Sequence, residues 1–358
     1  MKTIRINDKE ISDTSEPFIV AEAGVNHFDI AVERSISPLE AAKLMIKEAT
    51  EAGADAIKFQ TYKADKLVIR DSPAYWNTDI ETSKTQYELF AKYDKFGDKE
   101  YIELASYARE NNVIFMSTPF DEEAVDFLDE LVPVFKIASA DITNIALIKH
   151  IATKKKPVFL STGAATEEEI REAVSTIENE GNRDIVLMHC VLNYPTQYQQ
   201  ANLLAIQYLH DIFPAYITGY SDHTIPDTRM LVLVAAYLLG AQVLEKHFTL
   251  NKALPGNDHY HAMDQRDLRT IVSNLQLVRE TLGIRGKDIR SELAARAYAR
   301  RSVVAKVEIP AGSKITQDML TCKRPGTGIS AQFLGEITGR SAKKTIKSDE
   351  MLSWDDLC

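Results

Sequence analysis

The sequence predicts an α/β protein: a (β/α)8 barrel of the TIM type followed by a small C-terminal domain. Two observations carry the barrel. Short apolar runs alternate with amphipathic helical stretches through eight strand positions before Met263, which is the pattern of that fold. Each run also ends in polar residues, and in a barrel the carboxyl ends of the strands carry the chemistry. A third observation, the change to short strands and turns beyond Met263, sets the tail apart. The competing doubly wound sheet wants a glycine-rich phosphate loop after its first strand, and Ala23-Gly24-Val25-Asn26 does not supply one.

The first run is Phe18-Ile19-Val20-Ala21, leading into Glu22-Ala23-Gly24-Val25-Asn26-His27. Ser37-Pro38-Leu39-Glu40 joins a capping-box pattern to a proline at the first helical position, which predicts a helix to Ala52. After Gly53, Ala54-Asp55-Ala56-Ile57 runs into Lys58-Phe59-Gln60-Thr61. Further strands are expected at 113–116, 132–137, 157–160 and 185–189, with Thr166-Glu167-Glu168-Glu169 opening a helix to about Ile177. The last two, Ala215-Tyr216-Ile217-Thr218 and Ala241-Gln242-Val243-Leu244, flank an apolar helical segment at 230–239. The insertion at 62–101 carries Tyr75, Trp76, Tyr87, Phe90, Tyr93 and Phe96. It suits a lid or binding loop, or equally a surface decoration with a small core of its own. Residues 264–282 read as a closing helix. The expected domains are a catalytic barrel at 1–283, a charged linker at 284–300 and a module at 301–358, marginal by itself and expected to dock on a barrel.

Composition narrows the function. The 358 residues hold 42 basic and 52 acidic side chains, a net charge of −10, which argues against a nucleic-acid or anionic-membrane surface. No apolar run reaches the length of a membrane span and the start lacks a secretory apolar core, so a soluble cytoplasmic protein is the expectation. Cys190, Cys322 and Cys358 form neither a disulfide framework nor a zinc knuckle. Cys190 reads as buried and inert, because no general base is obvious beside it.

The strand ends supply the candidate chemistry. They present Glu22 and Asn26, Lys58 and Gln60, Ser117 and Thr118, Lys136 with Ser139 and Asp141, Ser161 and Thr162, His189 with Asn193 and Tyr194, Ser221 and His223, and Glu245 and His247. Lys58 and Lys136 each follow an apolar residue where strand meets loop, so each is a Schiff-base nucleophile or a cation for an anionic substrate. With the hydroxyls of Thr118, Ser139, Ser161 and Ser221 they form a donor set suited to phosphate plus carboxylate. His223 and His247, at consecutive strand ends, are the metal candidates, leaving most of the coordination sphere to water and substrate. Asp222 and Glu245 are expected to orient rings or waters. His150, His210 and His261 read as hydrogen-bonded structural histidines.

Taken together, Ala21-Glu22-Ala23-Gly24-Val25-Asn26-His27, Lys58-Phe59-Gln60, Ser117-Thr118-Pro119-Phe120-Asp121, Lys136-Ile137-Ala138-Ser139, Ser161-Thr162-Gly163, Tyr220-Ser221-Asp222-His223-Thr224, Leu244-Glu245-Lys246-His247-Phe248-Thr249 and Lys323-Arg324-Pro325-Gly326 resemble the sialic acid (N-acetylneuraminate) synthases. That family includes the legionaminic and pseudaminic acid synthases and joins a barrel to an antifreeze-like SAF domain. The resemblance implies a transferase that condenses phosphoenolpyruvate with an open-chain N-acylated amino sugar. It implies that Lys58, Thr118, Lys136, Ser139, Ser161 and Ser221 hold phosphoenolpyruvate, and that His223 and His247 bind Mn2+ or Mg2+. Gln60, Asp141, Tyr194 and Asp258 then contact the sugar, with Asn193 nearby, and Glu22 positions or deprotonates the attacking water. Arg324 reaches the sugar's N-acyl group from the partner subunit of a domain-swapped homodimer. Departures bear on the acceptor: Asp141 stands where a glutamate is usual, Leu192 where a polar residue is, and Asn257 where proline is common. The acceptor is therefore N-acetylmannosamine or a 2,4-diacetamido-2,4,6-trideoxyhexose. The rival readings are a Schiff-base aldolase of an amino-sugar keto acid, using Lys58 or Lys136, and a non-catalytic carbohydrate-binding protein.

Overall fold

The structure, a computed structural model, describes residues 2–76, 78, 81–256 and 258–358, so Asn257 lies outside the described residues. The chain divides into two compact units, Met1–Thr281 and Leu282–Cys358.

The first unit opens with an antiparallel hairpin, β1 (Thr3–Ile6) and β2 (Lys9–Ser12). Eight parallel strands follow: β3 (Phe18–Gly24), β4 (Ala56–Thr61), β5 (Ile114–Pro119), β6 (Phe135–Ile137), β7 (Val158–Ser161), β8 (Ile185–Cys190), β9 (Ile217–Asp222) and β10 (Val243–His247). Their spatial order is β5-β4-β3-β10-β9-β8-β7-β6. β5 and β6 lie alongside each other, so the sheet curls into the expected barrel. The helices start where the local chemistry says they should. Pro38–Ala52 begins with Ser37 and Glu40 capping each other and ends at Gly53, whose φ of 97° closes the last turn. Glu167–Asn179 begins with the same reciprocal cap from Thr166 and Glu169.

Most strands run further than their apolar residues suggest. β4 continues through Lys58 to Thr61, β9 through Ser221 to Asp222, and β10 through Glu245 to His247. Polar side chains end the apolar signal, but their backbones still pair with neighbouring strands. Several site residues are therefore on strands, held by ladder hydrogen bonds, and not in the loops beyond.

The hairpin has no counterpart in the sequence reading. Ile4, Ile6 and Ile11 are fully buried and join Phe18, Val20, Ala56, Ile114, Met116, Val134, Phe159, Val186, Met188, Ile217 and Val243, which fill the barrel interior. These interior residues lie early in their strands, so the hairpin plugs the end opposite the polar rim.

Side-chain alternation along β9 and β10 separates two functions. Ser221 bonds Glu245 and the His223 ring meets the His247 ring on one face of the sheet. Asp222 and Lys246 pair on the other, Nζ to Oδ2 at 2.6 Å. The Asp222 carboxylate also accepts from Tyr220 Oη at 3.0 Å and Thr224 N at 2.9 Å, and Lys246 donates to the Thr224 carbonyl at 2.6 Å. Asp222 therefore does not orient a histidine ring, contrary to expectation: the pleat turns it away, and it locks two adjacent strand ends together.

The second unit has its own core of Val303, Ile309, Ile315, Leu320, Ile329, Ile337, Ile346 and Leu352. Its strands β11 (Ser302–Ala305) and β12 (Leu320–Lys323) pair antiparallel, and isolated bridges such as Ile309 to Ile346 complete it. Within 284–300 there is a short helix, Leu293–Ala299. No helix among the described residues is long and apolar enough to cross a membrane.

Lys246 is 1% exposed, so Asp222→Ala strands a buried ammonium. The expected loss is about 3–5 kcal/mol of unfolding free energy in a urea titration. A loss within about 0.5 kcal/mol, the range of an ordinary surface change, excludes the lock.

Candidate active site

Parallel strands in register deliver their last residues to one rim, where charge is concentrated. Lys58 Nζ lies 2.6 Å from Glu22 Oε2 and 3.5 Å from Glu245 Oε1, and it donates to Thr118 Oγ1 at 3.2 Å. Gln60 donates to Glu22 Oε1 and Ser221 to Glu245 Oε1, each at 3.2 Å. Glu245 Oε1 thus meets Lys58 and the adjacent-strand Ser221, and among the described residues no histidine ring bonds to it. All three charges are buried. Burial pushes the Glu22 carboxyl up to about 7 against the pull of Lys58, and the nearby Glu245 charge pushes the same way. For Lys58, burial disfavours the charge, but the two carboxylates outweigh it and its pKa rises. Glu245 also meets a burial penalty, which Lys58, Lys136 and His223 overcome, so its pKa falls.

Lys136 is different. Its ammonium is equally buried, and its hydrogen bond goes to the Ile137 carbonyl at 2.9 Å. Among the described residues no carboxylate forms an ion pair with it, and burial lowers its pKa despite the more distant Glu245. Ser139 follows at the start of the next turn, and its Oγ accepts from Gly163 N at 3.0 Å. A side chain at 163 has no room, because a Cβ there stands 2.8 Å from Ser139 Oγ and 3.2 Å from Cys190 Sγ. The Ser161 hydroxyl and Asp141 Oδ2 are buried without a partner among the described residues. Burial lifts the Asp141 carboxyl to about 6. Asn193 is exposed on the loop after β8.

The two expected metal histidines converge, their ring centroids 5.4 Å apart, and Tyr194 packs on His223 at 4.2 Å. His223 Nδ1 lies 2.9 Å from the Val191 carbonyl. A carbonyl only accepts, so Nδ1 carries a proton and Nε2 is the ring nitrogen left for another partner. Burial, with His261 and His223 beside it, holds His247 well below the usual imidazole range and hence neutral. Sequence reasoning set His261 aside as structural, yet its ring lies 4.9 Å from that of His247. One donor atom from each of His247, Asp258 and His261 lies within 4.8 Å of the others. Imidazoles beside a carboxylate fit a divalent cation. Cys190 is buried as expected, and the protonated Nδ1 of His223 lies beside it as a donor. Burial opposes the thiolate, and His223 Nδ1 at 3.8 Å with Lys136 outweighs that, so the thiol pKa falls.

The 62–101 insertion supports the rim from one side. Tyr101 Oη donates to the Gln60 carbonyl at 2.7 Å, and Tyr93 Oη to Asp29 Oδ2 at 2.7 Å. Tyr93 and Phe96 are buried against Phe28, while Tyr75 is exposed. Arg324 belongs to the second unit, exposed just past β12.

Comparison with known proteins gives this geometry its context. The NeuB family pattern matches residues 45–287 and the SAF domain pattern residues 300–357. An uncharacterized protein of Methanocaldococcus jannaschii is 40% identical over 100% of this chain and 99% of its own. The N,N'-diacetyllegionaminic acid synthase of Legionella pneumophila is 38% identical over 95% of this chain and 94% of its own. Among solved structures, an N-acetylneuraminic acid synthetase from Leptospira borgpetersenii superposes with a TM-score of 0.70 at 32% identity, covering 82% of this chain and 96% of that one. The motifs on the strand ends, the barrel that gathers them and the terminal domain agree: the chain belongs to the NeuB family and carries a C-terminal SAF domain.

Proposed function

We propose that this chain is a nonulosonic (sialic-type) acid synthase. It joins phosphoenolpyruvate to an open-chain N-acylated amino sugar, releasing inorganic phosphate and a nine-carbon 2-keto acid. The observation that supports this most is Lys136, a buried ammonium with a carbonyl for a partner and no ion-paired carboxylate among the described residues. Such a cation is stabilised by an incoming anion, and the hydroxyls of Ser139, Ser161, Thr118 and Ser221 add neutral donors for phosphate and carboxylate oxygens. Lys58 completes the set. Gln60, Asp141, Asn193, Tyr194 and Asp258 receive the sugar.

In the reaction the enol carbon C3 of phosphoenolpyruvate forms a bond to the aldehyde carbon, whose oxygen ends as a hydroxyl. Positive charge develops at C2, and the Glu22 and Glu245 carboxylates are the groups that stabilise it in this reading. A water adds at C2 and Glu22 takes its proton. The tetrahedral centre then collapses to the ketone: the C2–O bond breaks, phosphate leaves with the electron pair and takes up the hydroxyl proton, and the proton held by Glu22 goes to the former aldehyde oxygen. A divalent cation held by His223 and His247 supplies Lewis-acid polarisation of the aldehyde when bound, and a mixed imidazole and carboxylate set favours Mn2+ over Mg2+. None of these steps needs a covalent enzyme nucleophile.

The depressed pKa of Lys136 is also what a Schiff-base lysine requires. One experiment separates the two readings: phosphate release from phosphoenolpyruvate across a panel of N-acylated hexosamines, N-acetylmannosamine and 2,4-diacetamido-2,4,6-trideoxyhexoses included, with and without Mn2+. The synthase reading expects release that needs both substrates and stops on chelation. Borohydride trapping of a keto-acid adduct on Lys136, with turnover surviving chelation, overturns it in favour of the aldolase.

Glu22 acts as a carboxylate, so activity is lost as it protonates. With its pKa pushed up to about 7, kcat/KM is expected to fall about tenfold per pH unit below that value and level off above it. A profile flat across about pH 6 to 8 excludes Glu22 as the base.

The reading extends to Arg324 as the cation that meets the sugar's N-acyl group in a homodimer. Arg324→Ala is expected to raise KM for the sugar about tenfold or more, the worth of a charge-assisted hydrogen bond, with a smaller change for phosphoenolpyruvate. Equal changes in both exclude that role.

A further inference from the structure

We propose that His261 is a third imidazole ligand of the divalent-metal site, acting with His247 and the Asp258 carboxylate, so that the protein closes a side of the site that His223 and His247 leave open. The inference rests on the metal-dependent reading above and goes beyond it in the ligand set.

The run Asp258-His259-Tyr260-His261 divides its work. Two residues anchor the loop. His259 is fully buried, with Nδ1 2.8 Å from Thr249 Oγ1 and Nε2 3.3 Å from Asp29 Oδ2. Tyr260 Oη donates to the Tyr194 carbonyl at 2.9 Å. The backbone is held at both ends as well. Asn26 Nδ2 donates to the Phe248 carbonyl at 3.0 Å and the Asp258 carbonyl at 3.4 Å. Two residues past His261, Met263 N donates to the His247 carbonyl at 2.8 Å and its own carbonyl accepts from Thr249 N at 3.0 Å. This zips the loop onto the end of β10.

Asp258 and His261 are what that anchored loop presents to His247. Asp258 Oδ2 stands 3.7 Å from His247 Nδ1, and the His261 ring lies 4.9 Å from that of His247 and 6.2 Å from that of His223. An ion about 2.1 Å from each ligand holds its donors about 3–4 Å apart. One donor atom from each of His247, Asp258 and His261 is already within 4.8 Å of the other two, so small side-chain rotations within the existing backbone bring all three to one ion. Two imidazoles and a carboxylate around one point, with the His223 ring 5.4 Å from that of His247, form a donor set that mid-row divalent metals take. A histidine kept only for packing has no need of two other imidazoles against it.

The consequence is metal held before any substrate arrives. The test uses the full-length protein, stripped by a chelator and titrated with Mn2+ in the absence of substrate, by calorimetry and by the electron paramagnetic resonance signal of unbound Mn2+. Wild type is expected to bind a single Mn2+ per chain, and His261→Ala to weaken the Kd about tenfold or more, with His210→Ala as an unaffected control. His261→Gln repeats the test should the alanine variant melt early, and in both variants the Mn2+-induced rise in Tm is expected to shrink. If wild type binds and both His261 variants match its Kd and stoichiometry, His261 is no ligand and the metal-dependent reading stands. If wild type itself takes up no Mn2+, both fall together.

Discussion

Lys58 lies at the rim between two carboxylates, all three groups out of water, and the rest of the site is arranged around that fact. Burying an ion costs several kcal/mol even after the surroundings relax, and mutual attraction offsets this only when the remaining donors and acceptors are also satisfied. Here Thr118, Gln60 and Ser221 each satisfy one of those groups, while Glu245 Oε2 is buried with no hydrogen-bond partner among the described residues. With Glu22, Lys58 and Glu245 these three partners come from β3, β4, β5, β9 and β10, five neighbouring strands that end at the same height, β4 contributing both Lys58 and Gln60.

That height was legible in the sequence where an apolar run stops at a charged or hydroxyl residue, as at Ile57-Lys58 and Leu244-Glu245. The strand ends themselves were not, because a hydrophobic pattern records which side chains are dry by type and says nothing of a backbone that goes on pairing beneath polar ones. The same limit explains Asp222 and Glu245. Alternation of period two puts Asp222 on the face opposite Ser221 and His223, which a reading of it simply as a histidine's neighbour ignored; Glu245 does share a face with His247, but Ser221 and Lys58 take its Oε1. The N-terminal hairpin escaped for another reason. Each strand has four residues, too few for a periodic signal, and its three isoleucines acquire meaning only against the barrel interior they close.

His261 shows where motif reasoning stops. It follows the last strand in a loop with no periodicity, and a single histidine there is more often structural than a ligand. The signal available was the spacing in Asp258-x-x-His261, which gains force only once Asn26, Thr249 and Met263 are seen to pin the loop against β10. A loop so fastened presents its side chains with nearly the precision of a strand, which is the condition for a ligand set on an irregular segment.

The two rim lysines, alike in sequence context, end with opposite electrostatics, and the difference follows from partners alone. Both are buried, so desolvation acts on each in the same direction. Lys58 has Glu22 and Glu245 within 4.0 Å and gains more from them than burial removes. Lys136 has Glu245 only at longer range and Lys58 as a repelling neighbour, so burial prevails. The first bridges two carboxylates that offset most of its charge before substrate arrives. The second carries a charge the protein leaves uncompensated, and binding a dianion there replaces a lost hydration shell with fixed negative charge. A site with both lysines paired would have little to offer an anion, and one with neither paired would repel itself; one of each leaves an uncompensated cation for the anionic substrate proposed above.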